Sequence, residues 1–298
     1  MKSEIRIFFL AALSAGVFLL GPGGGRAQTS NNARVEKNSE TAARMETAAA
    51  LGAQKDLEDA RKCFEREARK GYAPAEVNLA VFYIRGWGGV EQNYGAALYW
   101  LKDAAKRGQP RAYMNLGILY LKGWGVPQDN GEALKNFRIA AAHGETGAMV
   151  DLGYMTETGM GTAQDPAEGA EWYERAAKRG DAWGQNNLAD AYLRGIGVAQ
   201  SDAKAAEWFL KAAEAGHTGA RIKLGFLYLT GRGVGKDPVT AYGWILAASE
   251  AGDHRGDEYL AVLQGQLEAE QREAATRRAR ELQAARQDSS PMETAFIH

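Results

Sequence analysis

An all-α chain of repeated helix-loop-helix units is the fold class that the sequence predicts, on three observations. A glycine recurs at Gly71, Gly108, Gly144, Gly180, Gly216 and Gly252, at a first interval of 37 residues and then at 36. A second glycine recurs every 36 residues at Gly89, Gly125, Gly161, Gly197 and Gly233. Leucines follow the same rhythm at Leu79, Leu116, Leu152, Leu188, Leu224 and Leu260. A period of this size marks an array in which one unit cannot bury its apolar faces alone, so neighbours must stack. The extra residue of the first interval falls in Gly86-Trp87-Gly88-Gly89, a loop, where insertions are tolerated best.

The chain begins with a different kind of segment. Lys2 and Arg6 precede an apolar stretch from Ile7 to Leu20, which ends at Gly21-Pro22-Gly23-Gly24-Gly25. Small residues then flank Arg26 at Gly25 and Ala27, so residues 1–27 read as a secretory signal peptide cleaved before Gln28. The apolar stretch is shorter than the roughly 20 residues that a membrane-spanning helix needs, so no stable membrane insertion is expected after cleavage. A periplasmic or secreted location follows, with 28–35 as a disordered linker.

Within each unit two helices are legible. Ala112, Leu116 and Tyr120 stand four apart, the spacing of one helical face, and define helix A. After Gly123-Trp124-Gly125-Val126, Ala133, Phe137 and Ala140-Ala141 define helix B, which runs out at Gly144. Helix B opens at Asn93, Asp129, Asp165, Ser201 and Asp237, all residue types whose side-chain oxygen caps free amides. Pro166 and Pro238 follow at N1, and Glu132 and Glu168 at N3 complete the pattern of a capping box. Small residues line up where helices must approach. Ala104, Ala140, Ala176, Ala212 and Ala248 in helix B answer Ala75, Ala112, Ala148, Gly184 and Ala220 in helix A. Bulk comes from Trp100, Trp172, Trp208 and Trp244, with Leu101, Phe137, Tyr173, Phe209 and Ile245 in the next column.

The strings A-x-x-x-L-(G)-x-x-Y, G-x-G-V and D-x-x-x-A-x-W-x-x-x-A-A-x-x-G resemble Sel1-like repeats, relatives of the tetratricopeptide repeat. Five units carry them, 72–108, 109–144, 145–180, 181–216 and 217–252. Departures are local: Asn136 stands for the Trp, Thr156 for the Tyr, Thr162 for the loop Val, and Gly184 for the opening Ala. The resemblance implies a right-handed α/α solenoid with helix A lining its concave side, and a scaffold role in signalling, envelope or host-interaction processes. Residues 36–71 read as a degenerate N-terminal repeat whose helix B runs from Asp56 through Phe64 and Ala68, with Cys63 in the Trp column as a buried thiol. Residues 253–288 read as C-terminal capping helices, with one long polar helix over 264–287, and 289–298 as a flexible tail.

Composition narrows the chemistry. Thirty-six Lys and Arg against 37 Asp and Glu give a net charge of -1, which offers no general attraction for nucleic acid. One Cys excludes an internal disulfide, and the four His residues never fall at ligand spacing, so neither a metal nor another cofactor is expected. Ser201-Asp202-Ala203-Lys204 matches the S-x-x-K string of penicillin-recognising enzymes, but neither S-D-N nor K-T-G accompanies it and Ser201 already has a capping position.

One polar column remains, Asn78, Asn115, Asp151, Asn187 and Lys223, each preceding the helix A leucine. Under the resemblance it forms a ladder on the concave side, able either to hydrogen-bond an extended peptide or to fix repeat stacking. Trp87 and Trp124, in matching loops, are further candidate contacts, with packing over a helix end the favoured reading. The leading functional reading is an exported non-catalytic adaptor for a protein or peptide partner. The alternatives are a hydrolase of the β-lactamase kind ascribed to some exported Sel1-like proteins, whose paired cysteines this chain lacks, and a binding module for a cell-wall fragment.

Overall fold

A computed structural model describes Val35, Ser39, Thr41, Ala42 and residues 53–289. The signal peptide, nearly all of the 28–35 linker, most of 36–52 and the tail beyond residue 289 lie outside the described residues. The chain divides into two compact units that part between His143 and Gly144.

In the first unit, α1 (Gln54–Ala68) is the helix B of the degenerate repeat. Two helix A and helix B pairs follow: α2 (Ala73–Arg85) with α3 (Tyr94–Lys106), and α4 (Pro110–Lys122) with α5 (Asn130–Ala142). Each helix packs on the next in the chain. The second unit holds three pairs: α6 (Thr146–Thr158) with α7 (Pro166–Lys178), α8 (Ala182–Arg194) with α9 (Asp202–Glu214), and α10 (Thr218–Thr230) with α11 (Pro238–Ser249). A 3-10 turn at His254–Gly256, then α12 (Asp257–Gln266) and α13 (Ala269–Ser289), close this unit, and both closing helices pack on α11. No strand occurs among the described residues.

The helix ends follow from local chemistry. Helix A stops at a glycine in the left-handed region, Gly123 with φ 69° in α4, and Trp124 N–H then bonds Leu119 C=O at 3.0 Å, satisfying an orphan carbonyl. All five residues of the capping column accept a backbone N–H of the first turn, as at Asp129 Oδ1 from Glu132 N at 3.0 Å. The capping box itself is not completed. The Asp129 N–H already donates to Tyr120 C=O and the Asp165 N–H to Thr156 C=O, so Glu132 turns to Lys135 and Glu168 accepts from Trp172 Nε1. A glutamine column not foreseen from the sequence completes the loop: the Gln92, Gln128, Gln164 and Gln200 side-chain amides donate to Ile84, Leu121, Glu157 and Leu193 carbonyls at 2.8–3.1 Å.

Packing obeys the small columns. Ala104, Ala140, Ala176, Ala212 and Ala248 are fully buried, as are Ala75, Ala112, Ala148 and Ala220. Of the two bulky columns the second fills the core throughout, whereas among the four Trp only Trp244, at 5% exposed, is buried. Phe64, Leu101, Phe137, Tyr173, Phe209 and Ile245 are at most 3% exposed, whereas Trp100, Trp172 and Trp208 are half-buried at the edge of the core. Arg175 and Lys211 cover the Trp172 and Trp208 rings at 4.4 and 4.1 Å. Cys63 shares this edge column, so it is half-exposed instead of buried, with Thr41 Oγ1 at 3.8 Å.

The core column needs room, and glycine in helix A supplies it. A Cβ on Gly153 would stand 2.5 Å from the Tyr173 ring, and one on Gly117 2.7 Å from Phe137. Gly169 faces Gly153 from α7, with the Gly153 carbonyl 2.8 Å from where its Cβ would be, so backbone touches backbone. Glycine inside a helix costs about 1 kcal/mol relative to alanine, and the buried ring more than offsets it.

At the C-terminal end the predicted 264–287 helix is broken. Leu267 is extended (φ -92°, ψ 139°) and only 9% exposed, because it tucks in with Leu263, Tyr242 and Ile245. The chain restarts as α13, whose Ala275 and Ala279 are buried and whose Ala275 carbonyl lies 3.2 Å from the Cβ position of Gly243 in α11. In the degenerate repeat, α1 starts at Gln54, two residues before Asp56, with no side-chain cap.

Gly153→Ala should lower the stability of the chain by about 1–2 kcal/mol, the overpacking cost less the helix-propensity gain. Gly235→Ala, where nothing lies within 4 Å of the new Cβ, should stay within about 0.5 kcal/mol; urea midpoints compare the two. A pH test addresses Asp253, which accepts from Thr218 Oγ1 at 2.9 Å and Arg255 Nε at 2.7 Å and ties the fifth repeat to the 3-10 turn. The Arg255 bonds, with Thr218 adding to them against partial burial, hold its carboxyl down to about 2. An unfolded Asp titrates near about 3.9, so this stabilisation is complete above about pH 4 and is lost as pH falls toward about 2. The stability gap between the wild type and Asp253→Asn should therefore close over that window in acid melting curves.

Candidate functional site

The polar column of helix A divides by exposure. In the first unit Asn78 and Asn115 are 3% and 1% exposed, and the Asn115 amide makes no hydrogen bond to another described residue. In the second unit Asp151 is also buried, at 6%, whereas Asn187 and Lys223 are half-exposed. The structure brings these last two together through a residue the sequence pattern does not single out. Lys223 Nζ donates to Asn186 Oδ1 at 3.1 Å and to the Asp190 carboxylate, and Asn186 Nδ2 donates to Asn187 Oδ1 at 3.0 Å. The Lys223 ammonium also lies 5.3 Å from the centroid of the Phe209 ring. Asp151 lies apart from this group, beside Tyr173, whose hydroxyl donates to Glu157 at 3.0 Å. Burial raises the Tyr173 pKa, and the charges of Glu157 and Asp151 add to the effect.

The two loop tryptophans pack over helix ends. Trp124 stacks on Tyr94 at the start of α3, with centroids 5.1 Å apart and planes at 15°, while Trp87 meets Phe82 edge-on at 6.4 Å under Arg85. Both remain half-buried.

A second column, invisible as a motif, carries the repeat-to-repeat polar contacts. It is the position after the opening small residue. Tyr113 Oη donates to Ala105 C=O at 2.8 Å, Gln185 Nε2 to Ala177 C=O at 3.4 Å, and Arg221 Nε to Ala213 C=O at 3.1 Å. Each acceptor belongs to the last turn of the preceding helix B. Arg221, 1% exposed, reaches a second helix end through Nη1 to Ala247 C=O at 2.9 Å. A buried cation here is stabilised by the negative ends of α9 and α11. At Glu76 the polarity inverts and Arg107, at the end of α3, approaches its Oε1 at 3.2 Å. Burial raises the Glu76 pKa and Asp103 adds to this, with Arg107 opposing. The residue types differ at every repeat, so only the shared geometry reveals the column.

Ser201 acts as a helix cap, accepting from Lys204 N at 3.3 Å, and the Lys204 ammonium lies 5.0 Å from the Tyr192 ring centroid. Among the described residues no group of three or more His, Cys, Asp and Glu is placed to hold a metal ion. No helix among them is long and apolar enough to cross a membrane.

Stacked short helix pairs, closed by glycine turns and joined by side-chain bonds to helix ends, define an α-solenoid class of repeat protein. The Sel1 repeat model matches residues 73–109, 110–145, 146–181, 184–217 and 219–253. The chain belongs to the Sel1 repeat family, whose fold is typically a protein-interaction scaffold. Among solved structures it is similar to a Sel1 repeat protein from Oxalobacter formigenes, at 28% identity and TM-score 0.62 over 76% of this chain and 97% of that one. It is also similar to a protective antigen present in uropathogenic Escherichia coli strains that displays an SLR fold, at 28% identity and TM-score 0.60, covering 85% of this chain and 56% of the antigen. No curated protein matches the sequence.

Arg221→Met should lower stability by about 2–4 kcal/mol, because two buried carbonyls lose a charged donor. Gln185→Met, which loses one long bond, should cost about 1 kcal/mol. Chemical denaturation of both variants measures the difference.

Proposed function

We propose that the chain is an exported, non-catalytic scaffold that binds a protein or peptide partner through helix A, in envelope, signalling or host-interaction processes. The observation that carries this reading is the split in the polar column. Asn78, Asn115 and Asp151 are buried, whereas Asn187 and Lys223 stay half-exposed and hold hydrogen-bonding groups at the surface. The small and core aromatic columns of the repeats serve packing, and the exposed polar members of helix A are suited to main-chain amides and carbonyls. The basic, apolar and small-residue pattern of residues 1–27 supports export. The description of one similar protein as a protective antigen lends it further support.

Crosslinking capture from the native envelope tests the reading. Wild type should capture a specific partner that the double variant Asn187→Ala, Lys223→Ala loses, while Asn115→Ala retains it at whatever stability it has. No specific partner, or one held equally by a double variant as stable as wild type, would sink the proposal.

A further inference from the structure

The Lys223 group has a direction that chemistry forces. An ammonium only donates, so the atom of Asn186 that meets Lys223 Nζ at 3.1 Å is its oxygen. Asn186 must then present Nδ2 to its neighbour, and Asn187 receives it on Oδ1 at 3.0 Å. Asn186 is itself only 5% exposed, so this orientation is locked from within. What the relay leaves uncommitted is hydrogen: the Asn187 amide N–H groups and one proton of Lys223. Asp190 neutralises the ammonium. The group therefore matches a neutral acceptor, a main-chain carbonyl, better than an anion.

Beside it lies an apolar surface. Phe226 follows Lys223 by one turn of α10 and meets Tyr259 of α12 edge-on, with centroids 4.3 Å apart. Tyr259 precedes Leu260 and stands 36 residues after Lys223, so it continues the same column beyond the five repeats. It is 41% exposed and Val262, one turn on, is 58% exposed, because α13 packs on α11 and not over this face.

The geometry points to a peptide site on α8, α10 and α12 of the second unit, which rests on the scaffold reading above and gives it a partner chemistry. An extended segment of the partner places a main-chain carbonyl on Asn187 Nδ2 and a bulky apolar side chain against Phe226, Tyr259 and Val262. Neighbouring helices lie about 8–10 Å apart and an extended chain advances about 3.3 Å per residue, so the apolar side chain follows the bonded carbonyl by about three residues if it meets Phe226 on α10 and by about five or six if it meets Tyr259 and Val262 on α12.

The probe is a phage-displayed library of random dodecapeptides panned on the full chain, followed by synthesis of the selected peptide with blocked ends. The expected peptide carries an aromatic or aliphatic residue at one fixed position. Its Kd should rise about tenfold or more with Asn187→Asp, which swaps a donor for an acceptor at constant shape, and likewise with Tyr259→Ala. No selected peptide, or one insensitive to either change, overturns the site. Should a variant fail to fold, a benzoylphenylalanine at the apolar position of the peptide should crosslink unmodified chain within residues 223–262; crosslinks only elsewhere overturn it. Loss of library binding with envelope capture intact removes this site alone, whereas no envelope capture removes the scaffold reading and this site with it.

Discussion

Nine of the ten helices that form the five repeats have thirteen residues, and α11 has twelve. Helices this short are marginal in water by themselves, so their stability must come from close contact with neighbours. Contact of that kind needs small residues on one side and a large one to fill the space on the other. Alanine columns that are fully buried supply the first, and the column from Phe64 to Ile245 supplies the second. Where the helix A residue facing the bulk is glycine, as at Gly117, Gly153 and Gly225, no room remains for even a methyl group.

The loops answer to the same constraint. At Gly125, Gly197 and Gly233 the second loop glycine lies against the opening turn of the preceding helix B; at Gly197 a Cβ would overlap the Pro166 carbonyl at 1.9 Å. A turn that tight can tie one repeat to the last only if it carries no side chain. Polar groups then take whatever space remains. Main-chain carbonyls at the ends of helix B receive Tyr113, Gln185 or Arg221, and the N–H of each helix B cap is used by helix A before any capping box can claim it.

Exposed polar and aromatic residues are what this economy leaves at the surface. In the second unit the helix A column emerges from burial at Asn187, passes through Lys223 and ends at an exposed Tyr259. The same positions in the first unit lie under the surface at Asn78 and Asn115. A column of one spacing thus has buried and exposed members, and its residue types alone do not separate them.

The repeat period, the helix boundaries, the caps and the alanine columns were legible in the sequence, because each depends on a local rule: turn glycines need a positive φ, first turns need an acceptor, and close helices need small side chains. Two bulky columns were legible and only packing separates them: the column from Phe64 to Ile245 fills the core, whereas of the four Trp only Trp244 is buried and Trp172 and Trp208 lie at the edge under Arg175 and Lys211. The break at Leu267 was hidden because helix propensity favours continuing, and only the burial of Leu267 beside Leu263 outweighs it. The stacking column of Tyr113, Gln185 and Arg221 has no shared residue type, so its common role appears only when the preceding helix end is in place. Sequence by itself determined the family and the rhythm of the fold. Tertiary structure decided which polar side chains are buried and which stay exposed, because exposure depends on what neighbouring helices cover, and no spacing within one chain segment records that.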